Sequence, residues 1–286
     1  MRLQELDTSR RFRAEVLTSR RITPARSPVE VRELELAVPS EMPGCDAGQS
    51  VGVLAPGDPE LSQAEHLRLY TVADMPQTID SDRVKLKLCV RRCDYVDRYS
   101  GERYQGRASH YLCDRHVGDA VVLTGPYGDI FRLPDDPQAD LILIAAGTGI
   151  APYRAFIRRI DDDHPDFQGT IHLIHGGRSR LDLLYQNEVL DDLSQYTSRD
   201  RFRATTAVAE RPHWSENIDW DAALEPQAEP LRQALLAPHT YVYLAGLEPI
   251  RDEIDRVLGK TFGSIETWAR RKAELIAGGR WHELLY

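Results

Sequence analysis

Cysteine is scarce: four residues in 286 (Cys45, Cys89, Cys93 and Cys113) are too few to knit a disulfide scaffold. Their spacing matches neither the C-x2-C pair of a zinc site nor the C-x4-C-x2-C run of a plant-type iron–sulfur centre. No metal is implied, and redox chemistry would have to come from an organic cofactor. No apolar run approaches the roughly 18 residues needed to cross a bilayer. The opening stretch MRLQELDTSRRFRAEV also lacks the apolar core of a secretory signal, so a cytoplasmic protein without a membrane span is expected. Positive charge is outnumbered, 36 Lys+Arg against 45 Asp+Glu for a net charge of −9, which argues against a nucleic-acid binder. Neither G-x-S-x-G nor H-E-x-x-H occurs, so nothing suggests hydrolysis. There is no internal repeat and no low-complexity tract, and the histidines are scattered.

What is present fits about two domains. The first half reads as strands: Phe12–Leu17, Val29–Val38, Gln49–Leu54, Leu67–Ala73, Val84–Arg92 and Ala120–Thr124, separated by Pro, Gly and Asp turn signals. In Val84-Lys-Leu-Lys-Leu-Cys-Val90 the alternation of apolar and basic residues predicts one face buried and the other in water. A small antiparallel barrel follows. Near Pro134 the pattern changes to apolar runs without alternation, Leu141–Ala146, Ile171–His175, Thr205–Ala209 and Tyr241–Leu244. Apolar residues at helical spacing recur at 183–193, 250–258 and 265–276. Buried parallel strands with crossover helices, a doubly wound α/β domain, explain this half. The boundary falls in the proline-bearing linker 131–137.

Three motifs carry chemistry. Directly after the run 141–146 comes Gly147-Thr148-Gly149-Ile150-Ala151-Pro152-Tyr153-Arg154. Glycines there let backbone approach a phosphate, and free N–H groups at a helix start attract negative charge, so a nucleotide phosphate is the natural guest. Arg68-Leu69-Tyr70-Thr71 puts a cation, a phenol and a hydroxyl on one strand, which suits a diphosphate plus a flat ring. Gly106-Arg107-Ala108-Ser109 reads as the opening of a helix and a second phosphate-like site. Between Arg83 and Arg107 eight cations face three acids. That stripe is either a solvated strand face or a landing site for an anionic partner or phosphorylated cofactor.

The ordered landmarks R-L-Y-T at 68–71, L-C-V-R-R at 88–92, G-R-A-S at 106–109, G-P-Y-G at 125–128, G-T-G-I-A-P-Y-R at 147–154, L-L-Y at 183–185, Y-V-Y-L-A-G-L at 241–247 and R-W-H-E-L-L-Y at 280–286 resemble the plant-type ferredoxin–NADP reductases. The resemblance runs from about Phe12 to Tyr286. It implies an FAD-binding antiparallel β-barrel at 1–134, a NAD(P)-binding α/β domain at 135–286, and NAD(P)H as co-substrate. Arg68 would pair with the pyrophosphate alongside Leu69, Tyr70 would stack on the flavin, and Thr71 would bond near flavin N5. Cys89, Val90 and Arg91 would line the adenine side, Tyr95 would stack on the base, and Ala108 and Ser109 would meet phosphate. Gly147, Thr148, Gly149 and Gly246 would frame the nicotinamide, and Tyr286 would cover the other ring face. Thr71 and Tyr286 would be the catalytic pair. A ferredoxin or flavodoxin-like acidic electron carrier would dock near Arg83, Arg91, Arg92 and Arg107, steered by long-range attraction that includes Arg10, Arg11, Arg13, Arg20 and Arg21.

Four departures from that pattern concern the chemistry. Thr71 replaces the usual serine, Ala245 replaces a cysteine beside the nicotinamide, and Leu284 replaces a glutamate that helps proton exchange. Glu283 is adjacent but would point elsewhere. The usual Ser-Arg pair for a 2′-phosphate is Ala209-Glu210-Arg211 here. Glu210 would repel phosphate and accept from ribose hydroxyls, although Arg178, Arg180 and Arg211 could still form a clamp. The nucleotide is thus NAD(P)H, leaning to NADH. The alternatives are an NADH-dependent reductase component of an oxygenase system, or a flavin subunit of a larger complex that transfers no hydride.

Overall fold

A period-two pattern governs the first half of the chain. In β1 (Phe12–Arg21) the side chains of Phe12, Ala14 and Val16 are buried while Arg13 and Glu15 face solvent. The computed structural model describes residues 3–59, 63–97, 99–128, 133–197, 200–210 and 217–286. With β2 (Val31–Pro39), β3 (Ser50–Pro56), β4 (Glu65–Thr71), β5 (Gln77–Thr78) and β6 (Arg83–Arg91), β1 belongs to one antiparallel sheet. A hairpin of β7 (Asp94–Val96) and β8 (Arg103–Gln105) and helix α1 (Arg107–Cys113) precede β9 (Ala120–Tyr127), which completes that sheet in the order β4-β3-β9-β1-β2-β6-β5. Past the end of β4, an antiparallel bridge from Val72 to Leu88 and a bond from the Ala73 N–H to the Lys87 carbonyl (2.9 Å) return the sheet to β6. The barrel closes around Val16, Leu34, Leu36, Val51, Val53 and Leu88.

The second half is a parallel sheet. It contains β10 (Asp140–Ala146), helix α2 (Ala151–Asp163), β11 (Ile171–Gly177), the short α3 (Ser194–Thr197), β12 (Phe202–Val208), α4 (Trp220–Leu224), α5 (Ala228–Leu236), β13 (Thr240–Gly246), α6 (Pro249–Thr261), α7 (Ile265–Ala277) and β14 (Trp281–Leu285). The strand order is β12-β11-β10-β13-β14. Ile142, Ile144, Ile174, Val242 and Leu244 bury one sheet face against Trp220, Leu231, Ile254 and Trp268 of the helices. The chain divides into two compact units, 1–132 with 151–161, and 133–150 with 162–286. Most of α2 therefore packs with the barrel. Among the described residues no helix is long and apolar enough to cross a membrane.

Two expectations need correcting. The lysine face of β6 is not open to water: the Lys87 amine lies 3.4 Å from Asp74 and 3.3 Å from Glu35, and Lys85 lies 3.7 Å from Glu35. Carboxylates on β2 and past β4 draw these amines in. The stretch 183–193 is not a helix either. Tyr185 adopts φ 62, and the Asn187 side chain accepts from the N–H groups of Val189 and Leu190, a local turn that competes with helix. Leu183, Leu184 and Leu193 are apolar because the loop tucks inward.

Candidate functional site

In the barrel unit, β4 stands at the end of the strand order and carries Arg68, Leu69, Tyr70 and Thr71. The exposed Arg68 guanidinium donates only to the Leu67 carbonyl (2.8 Å) and has no carboxylate partner among the described residues. Burial lowers the pKa of His66, and the cations of Arg68 and Arg107 lower it further. Arg68 is thus the cation of this strand left open to an anion. Tyr70 lies against the barrel core, where burial raises its phenol above the ordinary value. Leu69 is half-buried opposite Gly52. Thr71 sits directly opposite Ser50 of β3, and their hydroxyls are 3.0 Å apart.

Cys89 and Val90 are buried in β6 and Arg91 is exposed. Tyr95 is exposed and stacks on Tyr104 across the β7–β8 hairpin, ring centroids 5.3 Å apart. Ala108 and Ser109 are buried in α1, and the Ser109 hydroxyl is committed to the turn: it donates to the Gly106 carbonyl (2.9 Å) and accepts from the Cys93 N–H (3.1 Å). The sequence reading missed two features here. Ser50 is one. The other is a buried ion cluster: Asp74 receives Arg154 (3.0 Å) and Arg158 (2.7 Å) of α2, and Arg154 also donates to the Ala73 carbonyl (3.0 Å). The last residue of the glycine motif, Arg154, is thus an anchor of α2.

In the second unit, Gly147, Thr148 and Gly149 follow β10, and Gly246 ends β13, beside it in the sheet. Successive strands leave β10 to one side as β11 and to the other as β13, the switch point at which α/β sheets bind ligands. Gly147 has φ 54 and Gly246 φ 152. A Cβ at Gly149 would lie 2.3 Å from the Ala245 carbonyl oxygen. The Thr148 hydroxyl is 2.6 Å from the Tyr286 hydroxyl, and the Tyr286 N–H donates to the Gly246 carbonyl (3.2 Å). Leu284 is the direct neighbour of Ala245. Glu283 is turned to other partners: it accepts from Arg251 (2.8 Å) and Trp281 (2.7 Å), and Lys272 lies 3.2 Å away. Burial opposes its ionisation, yet the Trp281 and Arg251 bonds and the Lys272 charge hold the carboxyl below its ordinary range.

At the far side of the same sheet, the Ala209 N–H donates to the Arg178 carbonyl (3.3 Å), and Glu210 is exposed. The Ser179 hydroxyl donates to Asp182 (2.8 Å). Arg211 lies outside the described residues, as does Arg98 of the basic stripe.

The stripe itself is largely paired. Arg83 holds Asp80 (2.8 Å), Arg92 holds Glu30 (2.9 Å) and Asp114 (2.8 Å), and Arg107 holds Asp58. Arg11 pairs with Glu65 (2.7 Å), and Arg21 donates to the carbonyls of Thr23 (3.0 Å) and Ser27 (2.9 Å). Arg10, Arg13, Arg20 and Arg91 are exposed with no carboxylate partner among the described residues.

A closed antiparallel barrel followed by a parallel sheet with a glycine loop at its switch point defines a nicotinamide-nucleotide oxidoreductase of two parts. Residues 143–255 match the oxidoreductase NAD-binding domain. The chain is 34% identical over 246 residues to a ferredoxin–NADP reductase of Spirulina sp, covering 84% of this chain and 83% of that protein. It is 31% identical over 276 residues to the chloroplastic leaf isozyme 1 of rice (Oryza sativa subsp. japonica), covering 94% and 75%. The solved ferredoxin–NADP+ reductase of Plasmodium falciparum with 2′P-AMP shares the fold at a TM-score of 0.69 and 17% identity, covering 98% of this chain and 97% of that one. The chain belongs to the ferredoxin–NADP reductase family.

Proposed function

We propose that the protein is an FAD-dependent reductase that moves electrons between NAD(P)H and a one-electron carrier, a ferredoxin or flavodoxin-like protein. In this reading 1–134 is the FAD-binding domain and 135–286 the NAD(P)-binding domain. The observation that carries it is the end strand β4, where an exposed guanidinium with no carboxylate partner among the described residues shares the strand with a phenol and a hydroxyl, in a chain of this family. Those residues fit FAD: Arg68 supplies charge for the pyrophosphate, Tyr70 a flat face, and Thr71 a hydroxyl for the ring nitrogen N5. Cys89, Val90, Arg91, Tyr95, Ala108 and Ser109 complete the adenosine side. FAD, when bound, accepts the two electrons of a hydride and releases them singly.

Gly147, Thr148, Gly149 and Gly246 are assigned a close backbone approach to the nucleotide, and Arg178 and Glu210 are assigned to its adenosine ribose. Thr71 and Tyr286 are assigned to the reacting rings. With Arg83, Arg92 and Arg107 already holding carboxylates, the exposed Arg91, Arg10, Arg13 and Arg20 carry the attraction to an acidic carrier. A cytoplasmic setting, where the exposed Cys93 stays reduced, belongs to the same reading.

Purified protein should be yellow, and parallel anaerobic titrations with NADH and NADPH should bleach it. Protein that stays colourless after incubation with FAD overturns the proposal. Carrier reduction should slow as salt rises. Ala245 and Leu284, apolar neighbours where the family pattern has a thiol and a carboxylate, with Glu283 held by Arg251, favour a second reading, a flavin subunit that transfers no hydride. Bound flavin that neither nucleotide bleaches would select it.

A further inference from the structure

We infer that His110 is a positioning residue for the cofactor: it fixes the β7–β8 hairpin so that Tyr95 stands ready for the adenine ring, and thereby favours FAD over FMN. This rests on the reading that the barrel binds FAD with Tyr95 on the base. The hairpin needs such a hold. Among the described residues β7 and β8 pair only with each other, every residue of both strands is exposed, and so small a sheet is marginal by itself. The rings of Tyr95 and Tyr104 stack 5.3 Å apart at an interplanar angle of 18°, so the two strands present one aromatic face. Tyr95 is 58% exposed, which leaves its outer side open to a further ring.

The hold comes from α1, in which consecutive residues grip consecutive residues of the entering chain. Ser109 accepts from the Cys93 N–H, and His110 Nε2 lies 2.7 Å from the Asp94 carboxylate at the start of β7. The other ring nitrogen sets the direction of that second bond. Nδ1 lies 3.0 Å from Nη1 of Arg92, and a guanidinium only donates, so Nδ1 accepts and the ring hydrogen sits on Nε2, aimed at Asp94. Arg92 is itself fastened, by Nε to Glu30 (2.9 Å) and by Nη2 to Asp114 (2.8 Å) at the end of α1. The imidazole is thus oriented at both nitrogens. The His110 bond foremost, with the Arg103 charge, holds the Asp94 carboxyl below its ordinary range. Arg103, 2.7 Å from Asp94, belongs to β8, so Asp94 ties both strands of the hairpin to the helix through His110. FMN ends at its first phosphate and has no adenine to meet Tyr95. A hairpin that must be ordered on binding therefore costs affinity for FAD alone.

The test is the pair of dissociation constants for FAD and FMN, measured by absorbance titration of the flavin-stripped full chain. His110→Ala should weaken FAD about tenfold and leave FMN unchanged. His110→Gln, whose amide nitrogen reaches the Nε2 position, should restore the wild-type ratio, whereas His110→Asn, whose amide stops at Nδ1, should not. In the D94A background H110A should change nothing further. The H110N and H110Q pair decides the matter alone where H110A does not fold. An H110A protein that loses FAD and FMN equally, or neither, overturns the positioning role while leaving the FAD reading intact, as does an H110Q protein no better than H110N. Wild-type protein that takes up neither flavin overturns both.

Discussion

Glu283 gives one carboxylate oxygen to both Nε and Nη2 of Arg251, each at 2.8 Å. With Trp281 and Lys272 on its other oxygen, the one acidic side chain of residues 281–286 is occupied. Glu283→Gln should therefore leave the pH profile of flavin reduction unchanged. It should cost about 1 kcal/mol of stability, a modest figure because Arg251 is half-exposed. Because the folded carboxyl titrates below its ordinary value, that contribution is present above about pH 4.5 and lost on acidification. A flavin-reduction profile that moves in E283Q would return Glu283 to the chemistry.

Asp74 is the hub of a different cluster. It is 2% exposed and faces Arg154, Arg158 and Lys87. Asp74→Ala leaves those cations facing one another, with Arg154 buried. Urea unfolding should register a loss of about 3 to 5 kcal/mol. A loss under 1 kcal/mol would mean that α2 is held by its apolar face alone.

Acid should weaken the fold through two histidines of β11. Burial pushes His175 down to about 4, against the opposing Gln186 bond. Burial and the Arg203 cation take His172 to about 4. The unfolded chain binds these protons near pH 6.5, so stability is complete above that value and falls as pH drops from 6.5 towards 4. Each shift corresponds to about 3 kcal/mol at the acid end. His175→Gln should flatten the melting temperature against pH over that window. An unchanged slope would refute this assignment.

The Thr148 and Tyr286 hydroxyls at 2.6 Å hold the phenol at the ends of β10 and β13, where the nucleotide is proposed to enter. Tyr286→Phe keeps the ring and removes that bond. Displacing the ring should then cost about 1 kcal/mol less, tightening NAD(P)+ binding about fivefold in titrations of the oxidised protein. Weaker binding in Y286F would show that the hydroxyl serves the nucleotide instead.

The barrel was legible because alternation in β1 and β6 and the turn residues agree with one another, and the unbroken run of β10 marks a strand covered on both faces. The loop 183–193 misled because burial and helical spacing leave the same trace in leucines, and the backbone at Tyr185 is not written in composition. Strand β14 went unread as a strand because its five residues carry both an aromatic anchor and a charged clamp. Of the site, the glycine loop and Arg68 were visible as motifs. Ser50 was not, since a lone serine acquires meaning only from a partner 21 positions away. The lysines of β6 looked solvent-bound because their carboxylate neighbours lie on other strands.

Gly149 is barred from carrying any side chain by the oxygen of Ala245, whichever guest the loop receives. A descendant of this protein that had lost every nucleotide contact would still be obliged to keep that glycine. At this position the signature certifies how two neighbouring strands terminate; evidence of what they grip must come from residues freer to vary.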